Sequence, residues 1–494
     1  MFSSVVLVTA LSCLERFIGF LYRIFLSRSI GAEGIAIYQI ALSVIGVIVT
    51  ITTSGIPITV SRLILKERAN KNPKAEADIV ASGILTSIAI SVPITLLFYF
   101  GRPILGFIFA DERCYDVLDL ILPAITITSV YAVIRGYFWG NRNYLSYSII
   151  ELVEEVVMAV VGVILVSKAV DSIDGVNKAG TAVFVSYVVS FVLSTIVFVS
   201  SSGRVSNPLP KLKELIVTSS PITVMRTLTA LMSSLVAIIL PNRLVFYGMK
   251  IETALAEYGA MSAMAMPILF MPSTLIGSIA LVLVPEIAEN FYCGKLDKLA
   301  NNVSKAIEVC TLISIAVIPV FISCGKQIGS FLYDSEIAGV YLAVSSIMML
   351  PMSVSMITNS LLNSMACEKQ TLLSYIVSAS FMVAIIFFGT KYLGVYSLTV
   401  GYIVSYLMLS IFNLKLLGKK LCGRVKYKRM LLYMTLSVIP SSAFGILLNG
   451  ILSKLVSPFL TIAICSASTL AFTFMFLIVF GIIKLNKKKP FVYI

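Results

Sequence analysis

Apolar blocks of about 20 residues recur from one end of this sequence to the other, the length an α-helix needs to cross about 30 Å of hydrocarbon. Strands of a membrane barrel would be half as long and would alternate apolar with polar residues, a pattern that is absent. A 494-residue chain that is 58% hydrophobic and 13% charged cannot hide its apolar surface in a soluble fold. The blocks therefore predict an all-α polytopic membrane protein. We place 14 transmembrane helices at 3–26, 35–60, 79–100, 117–139, 145–167, 180–200, 213–240, 255–285, 303–323, 337–363, 371–390, 393–417, 430–450 and 457–483. The first block begins at Met1 without a small-residue cleavage site, so it reads as a retained span rather than a signal peptide. The connections are too short to hold a soluble catalytic domain.

The net charge of +14 has a topological explanation. Segments after even-numbered spans, with the C-terminal tail, carry 23 Lys and Arg residues, and those after odd-numbered spans carry 10. Basic residues stay on the cytoplasmic side, so both termini are expected there and nucleic acid is not expected as a partner. The blocks that set this bias are Arg62 to Lys74, "KLLGKKLCGRVKYKR" from Lys415, and Lys484 to Lys489.

The chain also repeats itself. A shift of 228 residues puts Pro57 on Pro285, Pro123 on Pro351, and "LSY" at 145–147 on "LSY" at 373–375. Spans 2, 4 and 5 then match spans 8, 10 and 11. The division this implies is a six-helix lobe at 1–202, a second at 203–420, and two further helices with a basic tail at 421–494. Lobes with an even number of spans share one orientation, as in transporters built from parallel repeats.

Within this apolar frame a few charges stand out. Span 1 contains "LSCLERFIGFLYRIFLSR", with Glu15, Arg16 and Arg23 inside it. A charge at a helix centre costs roughly 2.5 to 3.5 kcal/mol on an insertion scale, so this helix is not expected to turn its charged side to lipid. Arg16 and Arg23 are seven residues apart and share a helical face, with Arg16 near the midplane and Arg23 about 10 Å further out. Span 5 carries Glu151, Glu154 and Glu155, whose i, i+3, i+4 spacing makes one acidic stripe. Span 7 places Arg226 at mid-depth. Arg135, near an end of span 4, is expected to snorkel. In the 228-residue register the acidic stripe falls on Ala379, Met382 and Val383, so the first lobe is charged and its counterpart is not. Fixed charge pairs that merely neutralise one another compete with this functional assignment. Arginine suits a diphosphate because its planar fork donates paired hydrogen bonds and stays charged.

Other signals are weaker. Pro57, Pro123, Pro221, Pro267, Pro272, Pro285 and Pro351 lie in or at the ends of spans and predict kinks. Asn359 and Asn363 suit either a cavity wall or hydrogen bonding between helices. Tyrosines at span ends read as interfacial anchors. The eight cysteines form no CxxC pair and read as packing residues. Histidine is absent, which excludes imidazole catalysis, a Ser-His-Asp triad and His metal ligands. No GxxxxGK[ST] occurs, and no acidic pair in a cytoplasmic loop offers a metal–diphosphate site. An enzyme, a metal site and a bound cofactor are not expected.

The segments "ERFIGFLYRIFLSRSIGAEGIAIYQ" (15–39), "TSGIPITVSRL" (53–63), "SSPITVMRTLTALMSSLVAIILPNRLVFYG" (219–248), "MPSTLIGSIALVLVPEIAEN" (271–290) and "LPMSVSMITNSLLNSMACEKQTLLSY" (350–375) carry a family resemblance. The chain resembles the polysaccharide-export branch of the multidrug/oligosaccharidyl-lipid/polysaccharide flippase superfamily, and within it the sporulation-type subgroup. That resemblance implies two six-helix lobes in a V with alternating access. It implies flipping of undecaprenyl-diphosphate-linked precursors across the bacterial cell membrane, here for spore-cortex peptidoglycan. It also implies that Arg16, in its "R-hydrophobic-hydrophobic-G-F" setting, faces the substrate cavity, as in the related peptidoglycan-precursor flippase. The family's second span-1 arginine aligns with Tyr22, so Arg23 is assigned to the cavity by helical face alone. In that relative, spans 13 and 14 form a groove for the lipid tail.

The expected substrate-binding residues are thus Arg16, Arg23 and Arg226. Glu15, Glu151, Glu154 and Glu155 are candidates for ion coupling or charge balance, with Na+, H+ or the membrane potential as the driving force. The expected partners are a lipid-linked oligosaccharide and membrane lipids, with a monomer as the working unit. The alternative on the same fold is a cation-coupled multidrug exporter. A non-transporting scaffold would have little need for charges in its spans.

Overall fold

The structure, a computed structural model, describes residues 2–70, 72–102, 108–421, 423 and 428–480. The basic tail at 484–489 and residues 424–427 of the loop block lie outside the described residues. The described residues are almost wholly helical and contain no strand. Ten helical segments among them are long and apolar enough to cross a membrane, and up to 11 if a bent pair counts as one span. Two of those segments, Leu7–Ala69 and Glu368–Lys420, run 63 and 53 residues and each contains two of the predicted spans. A further predicted span is the helix Tyr144–Val166, which its three glutamates keep out of a count based on apolarity. Each of the 14 predicted spans therefore falls on a helix among the described residues, and the protein is a multi-pass membrane protein.

Two compact units divide the chain, Met1–Gly259 and Ala260–Ile494. The first contains α1 (Phe2–Thr53), α2 (Ile56–Ala69), α3 (Pro73–Phe100), α4 (Arg113–Gly140), α5 (Tyr144–Val166), α6 (Ser172–Ser200), α7 (Leu209–Phe246) and α8 (Ile251–Tyr258). α7 packs on α1, α2 and α3, so this unit reaches beyond the repeat-derived limit at 202. The repeat describes how the chain is written and the unit describes how it packs, and the six-six-two division stays a proposal.

Gly31 turns the chain between the first two spans. Its φ of 72° interrupts α1, a backbone state that costs an L-residue strain and glycine none. Polar groups hold this turn. Arg113 Nη2 donates to Glu33 Oε1 (2.6 Å) and pairs with Asp111 (2.5 Å), while Ser172 Oγ donates to the Ile30 carbonyl (2.5 Å). The second break, at Ser54 and Gly55, precedes Pro57 in the first turn of α2. A Cβ on Gly55 would meet Thr223 Oγ1 and the Ser219 carbonyl of α7, and Gly136 of α4 is pressed equally close to Pro57. Small residues let these helices approach backbone to backbone, as membrane packing requires. The core of the unit joins Val60 and Ile64 of α2, Ile79 of α3, Val133 and Phe138 of α4, Ile150 of α5 and Leu215 of α7. Helix starts are capped by Asn72, Asn143 and Asp171, whose side chains accept from backbone N–H groups.

The second unit begins inside the π-helical turn Gly259–Ala265, followed by α9 (Met266–Phe270), α10 (Ser273–Tyr292) and α11 (Leu296–Tyr333). Pro272 sits at the break before α10, where the helices bend by 42°. α12 (Glu336–Ser345), α13 (Met349–Ser364), α14 (Glu368–Leu393), α15 (Ser397–Lys420), α16 (Lys428–Leu452) and α17 (Pro458–Val479) complete it. α11 is its axis and packs on α10, α12, α13, α16 and α17. Polar contacts fix α16 to it: Asn449 Nδ2 donates to the Ser323 carbonyl (2.6 Å) and Gln327 Nε2 to Asn449 Oδ1 (3.0 Å). Asn363 Oδ1 accepts from Thr371 Oγ1 (2.7 Å), which places that asparagine in helix pairing.

Candidate functional site: the charged face of the first unit

The charges of span 1 meet the acidic stripe of span 5 because α1 and α5 pack side by side. Two glycines permit the approach. A Cβ on Gly19 would collide with Glu155 Oε1, and a Cβ on Gly162 would collide with the Tyr22 ring. The contact therefore interlocks: a carboxylate of α5 lies on the bare backbone of α1, and a phenol of α1 lies on the bare backbone of α5.

Charges of both signs line this seam. Glu155 is within electrostatic reach of Glu15 and Arg23. Glu15 is within reach of Glu151 and of its neighbour Arg16. Glu151 pairs with Arg135 Nη1 at 3.7 Å, and both side chains are about three-quarters buried (24% and 26% exposed). The Arg135 guanidinium also lies 5.5 Å from the Trp139 ring centre and 5.9 Å from that of Tyr147. A carboxylate and two aromatic faces near the ends of spans 4 and 5 thus compensate the charge of Arg135.

Glu154 points towards α6, where Ser190 lies within reach of it. Tyr131 of α4 and Tyr187 of α6 also lie within reach of Glu154. Tyr22 and Tyr131 are each only 5% exposed, and among the described residues their hydroxyls have no hydrogen-bond partner. A buried hydroxyl normally finds one. Four helices, α1, α4, α5 and α6, therefore converge on three carboxylates and several phenols. Tyrosines at span ends read from the sequence as interfacial anchors, and this ring of phenols lies inside the spans instead. The available signal was position, since Tyr22 and Tyr131 lie inside predicted spans, and a phenol in hydrocarbon wants a polar neighbour.

The structure does not gather all the expected arginines. Arg23 lies on the seam with Glu155. Arg16 is exposed beside Glu15, and Arg226 is exposed on α7. Among the described residues Arg226 forms no ion pair. It falls between two contacts of α7, one at Gly55 and one where Ser43 Oγ and Ser234 Oγ lie 3.4 Å apart. The second of these involves the later half of α1, not the half that carries Glu15, Arg16 and Arg23. Among the described residues no cluster of His, Cys, Asp or Glu is arranged to hold a metal ion.

Comparison with known proteins agrees with this architecture. Residues 3–291 match the family described as "Polysaccharide biosynthesis protein". The chain is 25% identical over 355 residues to stage V sporulation protein B of Bacillus subtilis (strain 168), covering 68% of each chain. It is 21% identical over 344 residues to sporulation protein YkvU of the same organism, covering 67% of this chain and 74% of that one. Among solved structures it resembles the lipid II flippase MurJ in an inward closed conformation, with a TM-score of 0.74 and 11% identity over 96% of this chain and 100% of that one. It also resembles an inward-facing multidrug resistance MATE family transporter of the MOP superfamily, with a TM-score of 0.71 and 14% identity over 83% and 95%. At these identities the structural likeness establishes the fold. The solved neighbours are transporters and a flippase, not catalysts.

Proposed function

The chain belongs to the polysaccharide biosynthesis protein family, and on that premise we propose that it is a flippase carrying undecaprenyl-diphosphate-linked cell-wall or polysaccharide precursors across the bacterial cell membrane by alternating access. The observation that carries the proposal is the pair of exposed arginines, Arg16 and Arg226, on spans that are otherwise apolar. An uncompensated arginine facing hydrocarbon costs several kcal/mol, so such side chains belong on a wet or ligand-filled surface. A diphosphate supplies the missing charge and accepts the bidentate hydrogen bonds that guanidinium offers. Arg23, held beside Glu155, is a third donor whose charge a carboxylate already tempers.

In this proposal the diphosphate engages Arg16, Arg23 and Arg226, the sugar occupies polar surface, and the polyprenyl tail stays in lipid beside α16 and α17. Glu154 and Glu155 take up a proton or Na+, with Glu15 and Glu151 balancing charge. Both termini are cytoplasmic, the working unit is a monomer, and the similarity to sporulation proteins suggests spore-cortex peptidoglycan as the product served. The test is precursor flipping in reconstituted vesicles. Arg16→Glu should abolish flipping while the protein still inserts, and wild-type rates in that variant at normal abundance would refute the proposal.

One observation favours a second assignment. Carboxylates and phenols dominate the α1–α5 seam, as a cation-coupled exporter of small molecules would want. Native mass spectrometry separates the two, because a flippase retains undecaprenyl diphosphate species and an exporter does not.

A further inference from the structure

The second unit carries a groove between α10 and α11 that the charged face plays no part in forming. It measures about 470 Å³ and is lined by Ser278, Ile279 and Leu283 of α10 and by Asn302, Lys305 and Val309 of α11. That volume lies within the roughly 300–1,000 Å³ of small-ligand sites.

Polarity along the groove is ordered by depth. Lys305 and Glu308 are the last charges on α11 before an uncharged run that extends from Val309 to Gly325. A rise of about 1.5 Å per residue puts Lys305 about 6 Å outside that run, at the level of lipid headgroups. Ile279 and Val309 lie deeper, at acyl-chain level. α10 runs antiparallel to α11 here, because its Glu286 accepts from Asn302 Nδ2 (2.9 Å) and pairs with Lys298 (3.3 Å). The nearby acid of α10 is thereby engaged. Lys305 makes no ion pair among the described residues, and the acid that feels its charge is Glu308, less than one turn away on the same helix.

We propose that this groove binds one anionic phospholipid, with an acyl chain along Ile279, Leu283 and Val309 and the phosphate on Lys305. Asn302 has a second amide hydrogen to offer that phosphate. Basic pockets between membrane helices at headgroup depth recognise anionic lipids in this way. A free phosphate would gain nothing from the apolar walls. A polyprenyl diphosphate shares the chemistry of an acidic head on an apolar chain, but one lysine matches the single charge of a phosphodiester better than the charge of a diphosphate.

The test is native mass spectrometry of the purified full-length protein with phosphatidylglycerol, phosphatidylcholine, undecaprenyl diphosphate and inorganic phosphate as separate probes. The retention that depends on Lys305 should be of phosphatidylglycerol, and any undecaprenyl diphosphate held by the charged face of the first unit should survive Lys305→Gln. Lys305→Gln should weaken retention of phosphatidylglycerol about fivefold, the ratio that corresponds to roughly 1 kcal/mol per lysine at a membrane surface. Ser278→Phe, at an exposed position, should fill the groove and reduce retention of phosphatidylglycerol as well. Lys326→Gln, at the far end of α11 and paired with Glu336 at 3.7 Å, should change nothing. Equal retention of phosphatidylglycerol by wild type and Lys305→Gln overturns the assignment. So does a loss of equal size at Lys326→Gln, or a Lys305-dependent preference for undecaprenyl diphosphate or inorganic phosphate.

Discussion

Tyr22 and Gly162 show how one residue pair sets the site. The Tyr22 hydroxyl is buried without a partner and would be the first atom met by a Cβ on Gly162. Gly162→Ala should therefore lower stability by about 1–3 kcal/mol through overpacking, read as a lower melting temperature in detergent. Adding Tyr22→Phe removes the first atom of the clash and should restore part of the loss. Tyr22→Phe alone should be close to neutral, because a buried hydroxyl without a partner contributes little. If the double variant melts no higher than Gly162→Ala, the contact is not what limits the fold. Sequence patterning identified Glu155 and Glu154 by their spacing on one helical face. It could not identify Gly19 and Gly162, because a glycine's role across an interface depends on what lies opposite. Arg135 is a second case: its place near a span end was legible, but its carboxylate partner comes from the next helix and its ring partners lie only in part on its own.

At the scale of an element, the break in α1 is the most exacting feature. Gly31 holds φ at 72° with no atom near enough to crowd a Cβ, so any cost of substitution is purely backbone strain. Gly31→Ala should cost about 1–3 kcal/mol, and Gly31→Asn as much, since a ψ of −179° lies outside the left-handed helical well that asparagine tolerates. Thermal melts of the purified variants check this, and equal melting of alanine and wild type would mean the turn adapts. The gap between the predicted spans 3–26 and 35–60 places the turn in the sequence, but not the clamp on it. Glu33, Asp111, Arg113 and Ser172 come from separate loops and helix starts, and only the packing of α1, α4 and α6 brings them together. Prolines show the same division. Pro57, Pro123, Pro221, Pro267 and Pro272 were all expected to kink, yet Pro57 and Pro267 stand in first turns and Pro272 at a break, while Pro123 and Pro221 lie within helices. A proline lacks a donor wherever it stands, and the neighbouring helices decide whether that matters.

At the scale of the whole molecule, the asymmetry of charge is the functional clue. Three carboxylates on α5 are tied to α1, α4 and α6, and their counterparts in the repeat are apolar. If this cluster couples ion uptake to transport, Glu154→Gln with Glu155→Gln should leave substrate retention in place. It should remove the response of vesicle flipping to an imposed proton or Na+ gradient. An unchanged gradient response would return the cluster to a structural role.

The sequence alone determined the fold class, the span positions and the residues that cannot face lipid, because each follows from a one-dimensional quantity: the length of an apolar run, the period of a helix, or the cost of a charge in hydrocarbon. Tertiary structure alone decided the partners. Glu155 lies against a glycine, Arg135 beside Glu151 and two rings, and the Tyr22 and Tyr131 hydroxyls have no hydrogen-bond partner among the described residues. Those arrangements depend on distances between helices far apart in the chain, which no local pattern encodes.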